Sequence, residues 1–301
     1  MNGALAVTRY SLVELSRRRI LLVFFIVGAA GIALIAILLK VFTTALTGNV
    51  SFGGSGPAPD PVTLNRALEL GFVSDIISVL GFFALLIAFG IGMTVIYHDL
   101  ESGAAVAIFS KPVSRAAFTA GKVGAAVVAM IVIVGVLGIE ARLFMFLFGT
   151  GDLGTALSAE AVAQVANAVT VMLLVMALST WMNNIIAAVV AFIYNAAAGI
   201  VVALHTQDQA GLLGNNGVLK TALDVLYWVV PHQLISDAPR EIAKAEFALI
   251  TASTRDQGGP SSDQFLASIP SASGAADIIW WAFVVLVFAS LVYFAARRRQ
   301  V

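Results

Sequence analysis

The run Ile20-Leu21-Leu22-Val23-Phe24-Phe25-Ile26-Val27-Gly28-Ala29-Ala30-Gly31-Ile32-Ala33-Leu34-Ile35-Ala36-Ile37-Leu38-Leu39 contains no charged side chain. At about 1.5 Å per helical residue, its length matches the ~30 Å hydrocarbon core of a bilayer. Arg17-Arg18-Arg19 stand before it and Lys40 after it. Uncharged runs also occupy residues 123–139, 161–182, 185–204 and 278–296, and residues 72–97 carry one charge, Asp75, before His98. The reading is an all-α polytopic membrane protein, one domain over residues 1–301, with spans at about 20–41, 72–97, 118–148, 161–182, 185–204 and 277–296. Composition agrees: 60% of residues are hydrophobic and 11% charged, against roughly 25% charged in a soluble domain.

The net charge is zero, but its parts are separated. Arg9, Arg17, Arg18, Arg19, Lys111, Arg115, Lys122, Arg297, Arg298 and Arg299 fall on one side of a six-span path, opposed there by Glu14, Asp99 and Glu101. Lys and Arg beside span ends mark the cytoplasmic face. Both termini and the 98–122 segment are therefore expected inside, with residues 43–71 and 205–275 outside. The basic lead before residue 20 is too long for a signal peptide, and the apolar run exceeds the 7–15 residues of its core. Cysteine is absent, which excludes disulfides and thiolate chemistry. Asn49-Val50-Ser51 has the form of a glycosylation acceptor, a triplet that also arises by chance.

Residues 2–18 read as an amphipathic interfacial helix anchored by Leu5, Tyr10, Leu12 and Leu15; the alternative is a disordered basic tail. Residues 42–71 are dense in glycine and proline and read as a connecting loop. Glu140 and Arg142 sit near the outer end of the third span, on different sides of the helix. A tight hairpin at Thr180-Trp181-Met182-Asn183-Asn184 joins the fourth and fifth spans, with Trp181 at an interface. Within the outside segment 205–276, Leu219, Ala222, Leu223, Leu226, Tyr227 and Val230 recur at helical spacing up to Pro231. The expectation is an amphipathic helix on the outer ends of the spans, a second helix from Pro239, and a linker over 255–263.

The chemistry is mostly negative. No Asp, Glu, Lys, Arg or His lies at the centre of a span, where ion-coupled carriers and proton relays place them. No phosphate-binding loop is present, since Ala116 stands where its leading glycine would and Val123 follows Gly121-Lys122. His98, His205 and His232 have no paired-ligand spacing. Catalytic, cofactor and metal residues are therefore not expected in this chain. Two four-residue stripes remain: Ala84, Ala88 and Gly92 on the second span, and Ala187, Ala191, Asn195, Gly199 and Ala203 on the fifth. Small residues allow close helix approach in lipid. The stripes serve either packing within the chain or a subunit seam or substrate path.

The loop between the second and third spans carries the most pointed sequence. Asp99 and Glu101 precede Ser102-Gly103, and a short apolar helix with Ala105, Ile108 and Phe109 on one face follows. Then come Ser110-Lys111-Pro112-Val113-Ser114-Arg115 and Gly121-Lys122. Ser102 suits the cap of that helix and Ser114 the cap of the next, while Lys111 lies beyond the negative end and Pro112 blocks continuation. The alternative is a surface turn that only reverses the chain.

This loop resembles that of type 2 ABC transporter permeases. Leu226-Tyr227-Trp228-Val229-Val230-Pro231 also resembles the outside segment of the multicopper-enzyme-maturation branch, which includes nitrous-oxide reductase assembly permeases. His98-Asp99 departs from the acidic run common in relatives, and the last outside segment is long. The resemblance implies a permease, paired with a second copy and driven by a separate ATPase that holds ATP and Mg and docks on the 98–117 loop. The site residues it implies there are Asp99, Glu101, Ser102, Gly103, Ala105, Ile108, Phe109, Lys111, Pro112 and Arg115. It also implies a bacterial or archaeal cytoplasmic membrane. The rival readings are a non-transporting scaffold or mechanotransducer coupled to an ATPase, and an intramembrane enzyme. The substrate is not legible, and nothing suggests nucleic acid as a partner.

Overall fold

The computed structural model describes residues 2–49, 61–98, 113–149, 154–214, 217–230, 232–253 and 262–298. Among them the chain is helical without a strand: α1 Asn2–Ser16, α2 Arg19–Asn49, α3 Pro61–Thr94, α4 Arg115–Phe148, α5 Gly154–Ser179, α6 Asn184–Gln209, α7 Gly217–Val229, α8 Ala238–Ser253, α9 Ser262–Ala267 and α10 Ala275–Arg298. Six of these are long and apolar enough to cross a membrane: Arg19–Ala45, Asn65–Thr94, Arg115–Phe148, Thr155–Ser179, Asn184–Gln209 and Ala275–Arg297. The protein is thus an all-α, multi-pass membrane protein.

α3 and α5 form the centre, because each has apolar residues at three- and four-residue spacing that meet the other. Leu80, Ala84, Ile87, Ala88 and Ile91 of α3 are buried, as are Ala168, Met172 and Met176 of α5. Gly92 sets their approach: a Cβ there would stand 2.8 Å from Val175 Cβ and 2.9 Å from the Met172 carbonyl oxygen. The backbone oxygen cannot yield, so only glycine fits. Exposed Ile, Leu, Val and Phe cover the outsides of α2, α4, α6 and α10, as lipid-facing surfaces require.

Arg115 Nη1 donates to the Arg297 carbonyl at 3.0 Å, joining the start of α4 to the end of α10, and a Cβ at Gly3 would stand 3.8 Å from Ala117, so the start of α1 shares this end of the bundle, here the terminal face. Ser114 caps α4 as expected, its side chain accepting from Ala117 N at 3.1 Å. The N-terminal helix forms but is not a free interfacial helix. It packs along α4, with Thr8 Oγ1 donating to the Gly121 carbonyl at 3.1 Å and a Cβ at Gly121 placed 2.7 Å from Val7. Val7, Ser11 and Leu15 face inward, whereas Leu5 and Tyr10 are exposed; the expected anchors divide between bundle and surface.

Three loop boundaries are corrected. Residues 42–49 and 61–71, expected as loop, continue α2 and α3, because hydrophobic contacts such as the Phe42–Phe72 ring pair at 6.3 Å extend the helices beyond the uncharged runs. Residues 205–209 likewise prolong α6. The 180–184 hairpin is as tight as expected, with Asn183 Oδ1 accepting from Ile185 N at 2.9 Å and Trp181 exposed.

Candidate functional site

The segment after α6, expected to lie on the outer span ends, does not simply lie on the ends of the spans. α7 stops by Val230, and residues 232–236 run without helix between α5, α6 and α10. Backbone without helix is tolerated at such depth only when protein groups satisfy it, and here they do. Leu234 N donates to Asn167 Oδ1 at 2.8 Å, and Asn167 Nδ2 donates to the Leu234 carbonyl at 2.9 Å. Ile235 N donates to Ser273 Oγ at 2.9 Å, and Ser273 N returns to the Ile235 carbonyl at 2.9 Å. Ser236 Oγ donates to Glu160 Oε2 at 2.6 Å and accepts from Ala238 N at 3.1 Å. α8 then starts at Ala238, with Pro239 in its first turn as expected, and buries Ala238, Ile242 and Ala243 against the bundle.

Gln233 is the tip of this plug. Its Nε2 donates to Asn195 Oδ1 at 3.0 Å, near the middle of α6. Below it opens a cleft of about 370 Å³ between α3, α5 and α6. Its polar lining is Ser78, Gln164, Asn167, Asn195 and Gln233, its apolar wall includes Phe82, Ala84 and Leu85, and among the described residues no Asp, Glu, Lys, Arg or His lines it. Glu160, buried at the rim, is tied down by Gln164 Nε2 at 2.6 Å and by Ser236. On the other side of the Gln233–Asn195 bond lies a cavity of about 20 Å³ bounded by Tyr194, Ala198 and His232.

Beyond that, at the far face, Tyr227 is sandwiched between two imidazoles. His232 stacks at 3.9 Å and His205 at 4.4 Å. The His232 ring is held by the Tyr227 carbonyl at Nδ1, 2.9 Å, and by Asp277 Oδ1 at Nε2, 3.1 Å. Tyr227 Oη donates to the same carboxylate oxygen at 3.0 Å, and Gly274 N donates to Asp277 Oδ2 at 2.7 Å. Burial first, then the charge and hydrogen bond of Asp277, push the Tyr227 phenol far above its ordinary value. This cluster borders an outer pocket of about 350 Å³ that also reaches Asp224 and Trp228.

The stripes divide along their length. Ala88 and Gly92 pack inside the chain, and Ala84 lines the cleft. On α6, Ala187 and Ala191 are buried, Asn195 lines the cleft, and a Cβ at Gly199 would meet nothing within 4 Å. The inward line runs instead through Ala198 and Val202. A four-residue step overshoots a 3.6-residue turn by about 40°, so the stripe walks off the packed face by Gly199. Sequence reading missed Glu160, Asn167 and Gln233. For Glu160 and Asn167 the signal was present as polar residues inside an apolar helix, which demand partners in lipid, whereas Gln233 lies outside any helix and carried none.

Of the loop residues, Arg115 lies at the terminal face as above. Asp99, Glu101, Ser102, Gly103, Ala105, Ile108, Phe109, Lys111 and Pro112 lie outside the described residues, as do Pro231 and residues 255–261 of the expected linker, whose last two residues, 262 and 263, open α9 instead. No family model matches the chain, and no curated protein matches it.

Proposed function

We propose that the chain is the permease subunit of an ATP-binding-cassette transporter, an exporter, driven by a separate ATPase docked on the 98–117 loop. The observation that carries this reading is the mid-depth cleft, walled by the second, fourth and fifth spans and closed toward the far face by Gln233. A carrier running on an ion gradient needs ionisable groups at that depth. Amides and a hydroxyl line this cleft instead, so the driving energy comes from outside the chain. The loop between α3 and α4, with its resemblance to the coupling loop of type 2 permeases, supplies the place where that energy is received.

In this reading the chain holds no cofactor of its own, and ATP and Mg sit on the partner. A second permease copy completes the path, and residues 205–276 are available to an extracytoplasmic partner. The membrane is a bacterial or archaeal cytoplasmic membrane with both termini inside, a reading supported by Arg115 against the Arg297 carbonyl and by Arg18 on the Glu14–Lys122 pair. One observation favours the rival mechanotransducer: the outer segment is hydrogen-bonded into α5 and α6, so force on one reaches the other.

The test is reconstitution with the cognate ATPase. Glu101→Arg or Phe109→Asp is expected to leave the permease inserted while abolishing co-purification and permease-stimulated ATP hydrolysis. Unchanged values of both would remove the loop from coupling. ATP hydrolysis that is stimulated without any ATP-dependent solute movement in vesicles would favour the mechanotransducer.

A further inference from the structure

A second concavity, of about 480 Å³, lies on the lipid side of the bundle between α4 and α5, away from the cleft. Its floor exists because of two glycines. Gly138 lets α5 approach, since a Cβ there would stand 2.7 Å from Ala161 Cβ, while Gly135 leaves open space where its Cβ would be. The walls are apolar and open outward, with Ile131, Ile139 and Val162 each at least half exposed. At the far-face end stands Arg142, whose Nη1 donates to Ser158 Oγ at 3.1 Å. No carboxylate lies within ion-pair distance of Arg142 among the described residues.

From Ile131 to Arg142 is eleven helical residues, about 16 Å, close to half of a ~30 Å hydrocarbon core. That is the reach of one acyl chain in one leaflet. A guanidinium presents several donors in a planar fork suited to phosphate, and here one of them is committed to a neutral hydroxyl. We propose that this groove is a lipid site, holding one anionic phospholipid of the far leaflet with an acyl chain along Gly135 and its phosphate on Arg142. Lipid binding here does not depend on the transport reading.

The probe is the purified full chain exchanged into micelles doped with phosphatidylglycerol or phosphatidylcholine, with bound lipid counted by native mass spectrometry. The wild type is expected to retain one phosphatidylglycerol with about tenfold preference over phosphatidylcholine, the weight of one charge-assisted hydrogen bond. Arg142→Gln should erase the preference while an acyl chain still binds. Gly135→Leu fills open space, so it should melt as the wild type does and lose lipid of both kinds. Preference unchanged by Arg142→Gln, or lipid retained by a folded Gly135→Leu, overturns the proposal. So does a Gly135→Leu variant whose only change is loss of dimer, because a second copy would then be the occupant.

Discussion

Polar structure penetrates this apolar bundle from both ends, and the two intrusions are built from different materials. At the terminal face, α1 is fixed to α4 by charge. Lys122 Nζ, fully buried, reaches Glu14 Oε2 at 2.9 Å, Arg18 holds the other Glu14 oxygen, and the Tyr10 ring lies 5.7 Å from the ammonium. At the far face, a non-helical segment is held mainly by amides and hydroxyls, with Asp277 and Glu160 at its two ends. A buried ion pair is brittle: its partners resist separation, yet a well-packed apolar pair often replaces it without loss. An amide ladder is divisible, each bond adding little, so a segment held that way can leave in steps. The first suits a fixed joint and the second a part that moves.

The largest effect should come from breaking the charge joint on one side only. Glu14→Gln removes the carboxylate 2.9 Å from the fully buried Lys122 ammonium, and breaking a buried pair from one side runs about 3–5 kcal/mol. Unfolding in mixed micelles should register it, and the paired change Glu14→Leu with Lys122→Met should recover most of it. A double variant as unstable as the single one would mean that Lys122 and Glu14 are needed for more than each other.

Next is the amide ladder. Asn167→Leu leaves Leu234 N and its carbonyl without partners, at roughly 1–3 kcal/mol for each buried group. The loss should be local: amide exchange at residues 234–236 accelerates while the α3–α5 core stays protected. Uniform acceleration across the bundle would show that the plug is an integral part of the fold and not a separable element.

Acid separates the two ends further. Burial alone would raise the Glu14 carboxyl, but hydrogen bonds and charge from Lys122 and Arg18 outweigh it and leave it below its usual value. A carboxylate depressed in the folded state stabilises above its unfolded value, near 4.5, and that stabilisation fades as pH falls through the folded value. Stability should therefore drop below about pH 4.5, and Glu14→Gln should flatten that part of the profile. An undiminished acid limb in the variant would assign it to other carboxyls.

The six spans were legible because length and apolarity are local properties, and residues 20–39 alone state the class. The Ser114 cap, the tight 180–184 hairpin and the helix opening at Pro239 were legible for the same reason. The plug was not. Gln233, Leu234 and Ser236 have no periodicity, and their partners Asn195, Asn167 and Glu160 stand 38 to 76 residues away. Lys122 likewise reads as an interfacial cation until Glu14, 108 residues earlier, closes on it. The stripes were half legible: small residues did mark close packing at Gly92, Ala187 and Ala191, but a fixed four-residue step cannot follow a 3.6-residue helix for long.

The smallest intrachain effect is also the sharpest test of the moving part. Asn195→Leu removes the acceptor of Gln233 in the span centre, where such bonds are worth about 0.6 to 2 kcal/mol. Gly199, one turn further along α6, faces open space, so Gly199→Leu should change folding stability by no more than about 0.5 kcal/mol. If the far half of α6 meets a second copy, the two variants part company. Asn195→Leu should loosen the plug, read as faster labelling of a cysteine placed at position 233, without altering assembly. Gly199→Leu should weaken assembly, read as a shift from dimer to monomer in cross-linking, without altering that labelling. Wild-type assembly in Gly199→Leu would assign this position to lipid, and the cleft would then belong to one chain alone.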